Sequence, residues 1–181
     1  MLQSLEMQEI TLEVNLKTIP PVIKRRRQVL IVLKNAEGNY ILGHKNHYPP
    51  GVSRFVGGGM EEGEEPLHAA VRELHEETGI LADENHLRPL RKVVVVATTP
   101  DQLQTHFEVY LFAYQLNDET LKASDDLDNV VELTPDLTTK LIDTFDNLNA
   151  DIHPALNFSW QDYGKVYGHI HQLGFELTQK N

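Results

Sequence analysis

The chain has 181 residues, with 16 Lys and Arg against 27 Asp and Glu, a formal net charge of −11 and no cysteine. That length is about one domain, with a core large enough to fold without a covalent or metal staple. The composition excludes a disulfide scaffold, a Cys-ligated metal centre and a thiol nucleophile, and the acidic balance argues against a general nucleic-acid or anionic-membrane surface.

Residues 1–23 read as a leader strand or loop, because Ile10, Leu12, Val14 and Leu16 alternate with polar residues until Pro20-Pro21. The basic run Lys24–Arg27 reads as an exposed lead-in to the strand Val29–Lys34. Glu37-Gly38-Asn39 signals a hairpin into Tyr40–Gly43. A loop over 44–51, broken by Pro49-Pro50-Gly51, leads to a short strand Arg54–Val56 and three glycines, Gly57–Gly59. Pro66–Thr78 reads as a helix, with Glu64 and Glu65 at its positive end and Gly79 as its stop. Val93–Ala97 and Phe107–Leu116 read as strands, and 117–129 as an acidic loop. Thr134 and Pro135 open a second helix to about Asn147. After a loop over 149–158, Ser159 caps a last helix to about Leu173, with Asp162 completing a Ser-x-x-Asp box. The longest apolar runs, Val29–Leu33 and Val93–Ala97, are too short to span a bilayer. The expectation is one mixed α/β domain over 1–181, with a 1–23 leader and a 149–181 helical extension, in a soluble, cytoplasmic protein with no secretory signal.

The chemistry concentrates in Gly58–Ile80. At 100° per residue, Leu67, Ala70, Val71 and Leu74 share a core-facing arc, while Glu73, Glu76 and Glu77 share a second, solvent-facing one. Like charges three and four apart repel, and Arg72 offsets only part of that. Such an acidic stripe suits a hard divalent cation, which takes oxygen ligands and keeps places for water and phosphate. The preceding glycines let backbone approach a ligand closely.

The spacing Gly58-x5-Glu64-x7-Arg72-Glu73-Leu74-x-Glu76-Glu77-x-Gly79-Ile80 resembles the Nudix hydrolase signature at every defined position. The resemblance implies an α/β/α sandwich around a mixed β-sheet, and Mg2+- or Mn2+-dependent hydrolysis of a nucleoside diphosphate linked to another moiety. It implies Glu76 and Glu77 as metal ligands, Glu73 as a further ligand or the base, and the Gly58 carbonyl as completing the metal shell. Arg72 would orient Glu73 by a charge-assisted hydrogen bond, and Glu64 would hold the loop.

Outside the signature, Ser53 and Val56 stand where several relatives carry Trp and Pro. Lys45 and Arg54 are candidate phosphate contacts, Asp126 or Asp125 a candidate late carboxylate, and Trp160 or Tyr163 a candidate cover for the substrate cleft. The pairs His44/His47 and His169/His171 lack a third ligand at metal spacing. The leading substrates are nucleoside triphosphates and nucleotide sugars. Gly38–Met60 is loosely similar to GDP-mannose hydrolases, which gives a nucleotide-sugar alternative. Another is a non-catalytic ligand-binding module, although every signature carboxylate is retained. Net charge argues against an RNA-directed member. Homodimers are common in the family, and no residue here points to one.

Overall fold

The structure, a computed structural model, describes residues 7–117, 119–122 and 127–179. Val29–Leu33 is apolar at every position, which suits a strand covered on both faces. It lies in β2 (Arg27–Lys34), inside a six-stranded sheet with β1 (Glu9–Asn15), β3 (Tyr40–His44), β4 (Arg88–Thr98), β5 (Gln104–Gln115) and β6 (Asn129–Leu133). The strand order is β1-β4-β5-β2-β3-β6. β1 runs parallel to β4 and β2 parallel to β5, while the other neighbours are antiparallel.

Alternation along β2 gives each face of the sheet its own core. Val29, Ile31 and Leu33 pack with Ala69, Ala70 and Leu74 of α1 (Pro66–Thr78). Leu30 and Val32 belong to the opposite core, with Phe145 of α2 (Thr138–Asp146) and Val166, Tyr167 and Ile170 of α3 (Trp160–Gln179). This is the expected mixed sheet between helices. Among the described residues, no helix is long and apolar enough to cross a membrane.

Several local expectations change. Arg54–Val56 forms single bridges, Gly43 with Arg54 and Ile31 with Val56, rather than a strand. Asn129, placed at the end of the acidic loop, begins β6, which pairs with β3 through His44. The last helix continues to Gln179, beyond the expected end. Asp162 does not close a capping box. Ser159 does cap α3, accepting the Gln161 N–H at 3.1 Å, but the Ser159 N–H goes to Thr18 Oγ1. The Asp162 carboxylate turns to the leader instead, accepting the Lys17 and Thr18 N–H groups and the Thr18 hydroxyl.

His171 is fully buried and pins the Phe55 segment to α3. Its Nδ1 lies 2.6 Å from the Tyr167 carbonyl, and its Nε2 accepts the Phe55 N–H at 2.8 Å, so the ring is neutral with its proton on Nδ1. Burial pushes its pKa down to about 3. His169 is exposed, with its Nδ1 against the Lys165 carbonyl of its own helix.

Candidate active site

The segment after β3 passes under α1 as an extended chain. The Val56 and Gly58 carbonyls accept the N–H groups of Ile31 and Val29, at 2.8 and 3.0 Å. This seats Gly57–Gly59 against the face of α1 that carries the acids. A Cβ on Gly58 would stand 2.5–2.8 Å from the Glu73 carboxyl group, so only glycine leaves that group its place. At the far end of α1, Gly79 adopts φ 75° and returns its N–H to the His75 carbonyl, as expected of a helix stop.

The acids are not a solvent-facing stripe. Glu73 and Glu77 are 8% and 5% exposed, and only Glu76 faces solvent. The buried face of α1 contains Ala69, Ala70, Glu73, Leu74, Glu77 and Thr78, while Leu67 and Val71 are only partly buried. It is turned about a sixth of a turn towards the acids from the arc that apolar residues alone define. The glycine segment supplies the polar partners that periodicity cannot see. Gly57 donates its N–H to Glu77 at 2.7 Å. Burial nevertheless dominates and pushes the Glu77 carboxyl up to about 7.

Arg72 joins the loop to the acids. It forks onto Glu64 at 2.8 and 2.9 Å, donates to Glu73 at 2.9 Å and to Glu76 at 3.0 Å, and reaches the Gly59 carbonyl at 3.0 Å. Its fork holds the Glu64 carboxyl below the usual range. Glu64 also accepts the Glu61 N–H at 2.8 Å, which is the loop-holding place the sequence suggests. Glu73 is pushed up by burial, against the pull of Arg72.

These groups open into a cavity of about 620 Å³. Its lining holds four carboxylates (Glu61, Glu73, Glu76, Glu77) and four cations (Arg25, Lys45, Arg54, Arg72). Among the described residues, a chain of net charge −11 thus places as many cations as acids here. Arg54 lies over the Tyr167 ring, 5.1 Å from its centroid. Lys45, Arg54, Trp160 and Tyr163 all line the cavity. Ser53 and Val56 are buried and do not line it. Asp125 and Asp126 lie outside the described residues, whereas Asp128 accepts the Asn46 N–H and holds the loop bearing Lys45.

Two groups escape the sequence reading. Arg25 is exposed, as expected of the basic run, and it also lines the cavity beside Gly59. Pro20 and Pro21, read as a strand terminator, form part of the same wall.

The donor chemistry fits a hard divalent cation, since Glu73, Glu76 and Glu77 offer only oxygen and converge on one mouth. Among the described residues no three acidic or histidine side chains form a closed ligand shell, and Arg72 links Glu73 and Glu76 instead. The Gly58 carbonyl already accepts the Val29 N–H and the Gly59 carbonyl the Arg72 guanidinium, so each has one of its two lone pairs engaged. Among the described residues the Gly57 carbonyl has no such partner, which makes it the better backbone donor.

Comparison with known proteins agrees with this architecture. The family model of the NUDIX domain matches residues 24–155. The chain belongs to the Nudix family. It is 41% identical over 86 residues to an RNA pyrophosphohydrolase of Cereibacter sphaeroides strain KD131, covering 47% of this chain and 48% of that protein. It is 35% identical over 113 residues to an RNA pyrophosphohydrolase of Bartonella bacilliformis, covering 59% and 58%. The chain thus spans about half the length of these curated relatives. The solved dihydroneopterin triphosphate pyrophosphohydrolase of E. coli superposes with a TM-score of 0.55 at 17% identity, covering 87% of this chain and 97% of that one. A MutT protein from Bacillus halodurans gives 0.54 at 20% identity, covering 64% and 72%. Both structures share the fold.

Proposed function

We propose that the chain is a pyrophosphohydrolase that cleaves a phosphoanhydride bond in a nucleotide derivative, with Mg2+ or Mn2+ held by Glu73, Glu76 and Glu77. The observation that carries this reading is the pairing, in one cavity, of two buried carboxylates with cations that balance them. The bound cation supplies charge neutralisation and a lowered pKa for water. The chain's residues do the rest. Arg72 fixes one oxygen of Glu73 and leaves the other as the base or a further ligand. Arg54 and Lys45, in the lining of the same cavity, meet the phosphate oxygens. Water attacks phosphorus, its proton passes to a carboxylate, and the anhydride oxygen leaves on the departing phosphate.

Nucleoside triphosphates and nucleotide sugars fit the cavity chemistry. A second reading, the 5′-phosphorylated end of RNA, is favoured by the names of the curated relatives and by the exposed run Lys24, Arg25 and Arg26, of which Arg25 lines the cavity. That local run narrows the expectation against nucleic acid, which rested on net charge over the whole chain.

The test is a phosphate-release screen with Mg2+ and with Mn2+. It covers nucleoside triphosphates, nucleotide sugars, ADP-ribose, dinucleoside polyphosphates and a 5′-triphosphorylated oligoribonucleotide, with Glu77→Gln as the blank. One class should stand well above the rest and lose turnover in EDTA. No turnover above the blank from folded protein would overturn the reading in favour of a binding module.

A further inference from the structure

The cavity lining combines two chemically different sets of residues. Its charged groups lie between Arg25 and Glu77, within the residues the family model matches. The other set comprises Pro20, Pro21 and Val22 of the leader and Phe158, Trp160 and Tyr163 at the start of α3. None of these six carries a charge, and all lie outside the matched residues 24–155. Trp160 is braced by Phe158 and Tyr163, with centroids 4.9 and 5.2 Å away in edge-on arrangements.

The two walls come from segments some 140 residues apart, joined by specific bonds. Asp162 has no exposed surface. It accepts the Lys17 N–H at 3.1 Å, and both the N–H and the hydroxyl of Thr18 at 2.8 Å. Thr18 Oγ1 in turn accepts the Ser159 N–H at 2.8 Å. Beyond the prolines, Gln28 donates to the Val22 carbonyl at 2.7 Å and accepts the Tyr167 hydroxyl at 2.8 Å. Pro20-Pro21 is thus held at both ends against α3, and its fixed φ angles keep the span between stiff. A wall of prolines and aromatic rings in the same cavity as the charged groups, with Arg54 over the Tyr167 ring, suits a flat π-system joined to a diphosphate.

We propose that Asp162 is a positioning residue that clamps the leader to α3 and so sets a slot for the nucleobase of the substrate. This rests on the pyrophosphohydrolase reading and adds to it which part of the chain reads the non-phosphate moiety.

The experiment compares two non-hydrolysable ligands with Mg2+ by titration calorimetry. They are the α,β-methylene analogues of the common nucleoside diphosphates, and methylenediphosphonate, which lacks the nucleoside. Wild type should bind the preferred nucleoside analogue about tenfold or more tightly than methylenediphosphonate. Fluorescence of Trp160, the chain's one tryptophan, should respond to the nucleoside analogue alone. Asp162→Asn should erase the tenfold preference and leave methylenediphosphonate binding unchanged. On the substrate found by screening, KM should rise with kcat nearly constant. Thr18→Val, which keeps both backbone bonds to Asp162, decides the matter if Asp162→Asn does not fold.

Wild-type affinities in the folded variants would overturn the proposal, since a purely stabilising carboxylate leaves the ratio untouched. Equal binding of both ligands by wild type would overturn the slot and leave the pyrophosphohydrolase reading standing. Failure to bind either ligand would overturn both.

Discussion

Glu77 on α1 and Asp162 on α3 are both withdrawn from solvent, yet they are treated in opposite ways. Asp162 receives four donors, namely the N–H groups of Lys17 and Thr18, the Thr18 hydroxyl and the Lys165 ammonium at 3.3 Å. Among the described residues Glu77 receives one, the Gly57 N–H, and its carboxyl is pushed up to about 7. A buried carboxylate with its lone pairs filled has nothing left to offer a ligand. One left short of partners at a cavity wall keeps that capacity, at some cost to the folded state. The difference separates a group that holds the walls together from one that is available for chemistry.

The sharpest test of the comparison is to neutralise the under-bonded member. Glu77→Gln should lower turnover by about a thousandfold, with little change in melting temperature. Rates come from phosphate release and folding from calorimetry. Asp162→Ala should do the reverse. It leaves three leader donors without a buried acceptor, so stability should fall by about 3 kcal/mol, read by urea unfolding.

Gly58→Ala probes the middle of the range. The new methyl would displace the Glu73 carboxylate, and turnover should fall by about a hundredfold without a large stability change. Acid brings in His171. Its folded pKa, near 3, lies below the unfolded value of about 6.5, so between these the unfolded chain binds the extra proton. Stability is therefore lost as pH falls through that window, with a slope near 1.4 kcal/mol per pH unit from this group. His171→Gln should remove that slope from a pH series of unfolding curves. The smallest effect belongs to Tyr163→Phe. Among the described residues the Tyr163 hydroxyl is buried without a hydrogen-bond partner, so its loss should raise stability, by about 1 kcal/mol.

Much of the active-site wall is legible in the sequence because spacing alone carries it. Glu64, Arg72, Glu73, Glu76 and Glu77 meet around one loop, and Gly79 ends the helix. The orientation of that helix is not legible. Apolar periodicity turns Leu67 and Val71 inward, whereas the Gly57 N–H and the Arg72 guanidinium make it cheaper to bury Glu77 and Glu73. Arg25 fails for a related reason, because a run of four cations looks uniformly solvated and only the third dimension singles one out. Asp162 satisfies a local capping pattern, but partners some 140 residues away compete for it and win.

Both parallel pairings, Glu9 with Lys92 and Arg27 with Glu108, join residues about 80 positions apart. Neither can form until the intervening chain, including the whole acidic helix, is already present. Such distant closures slow folding, because the loop entropy is spent before any contact repays it. During synthesis, the charged residues of the cavity therefore emerge well before β4, β5 and α3 exist to enclose them. Refolding should give a slow final phase in which Trp160 emission reaches its native value after most helical signal has returned. The order of events in time would then mirror the division of labour in space.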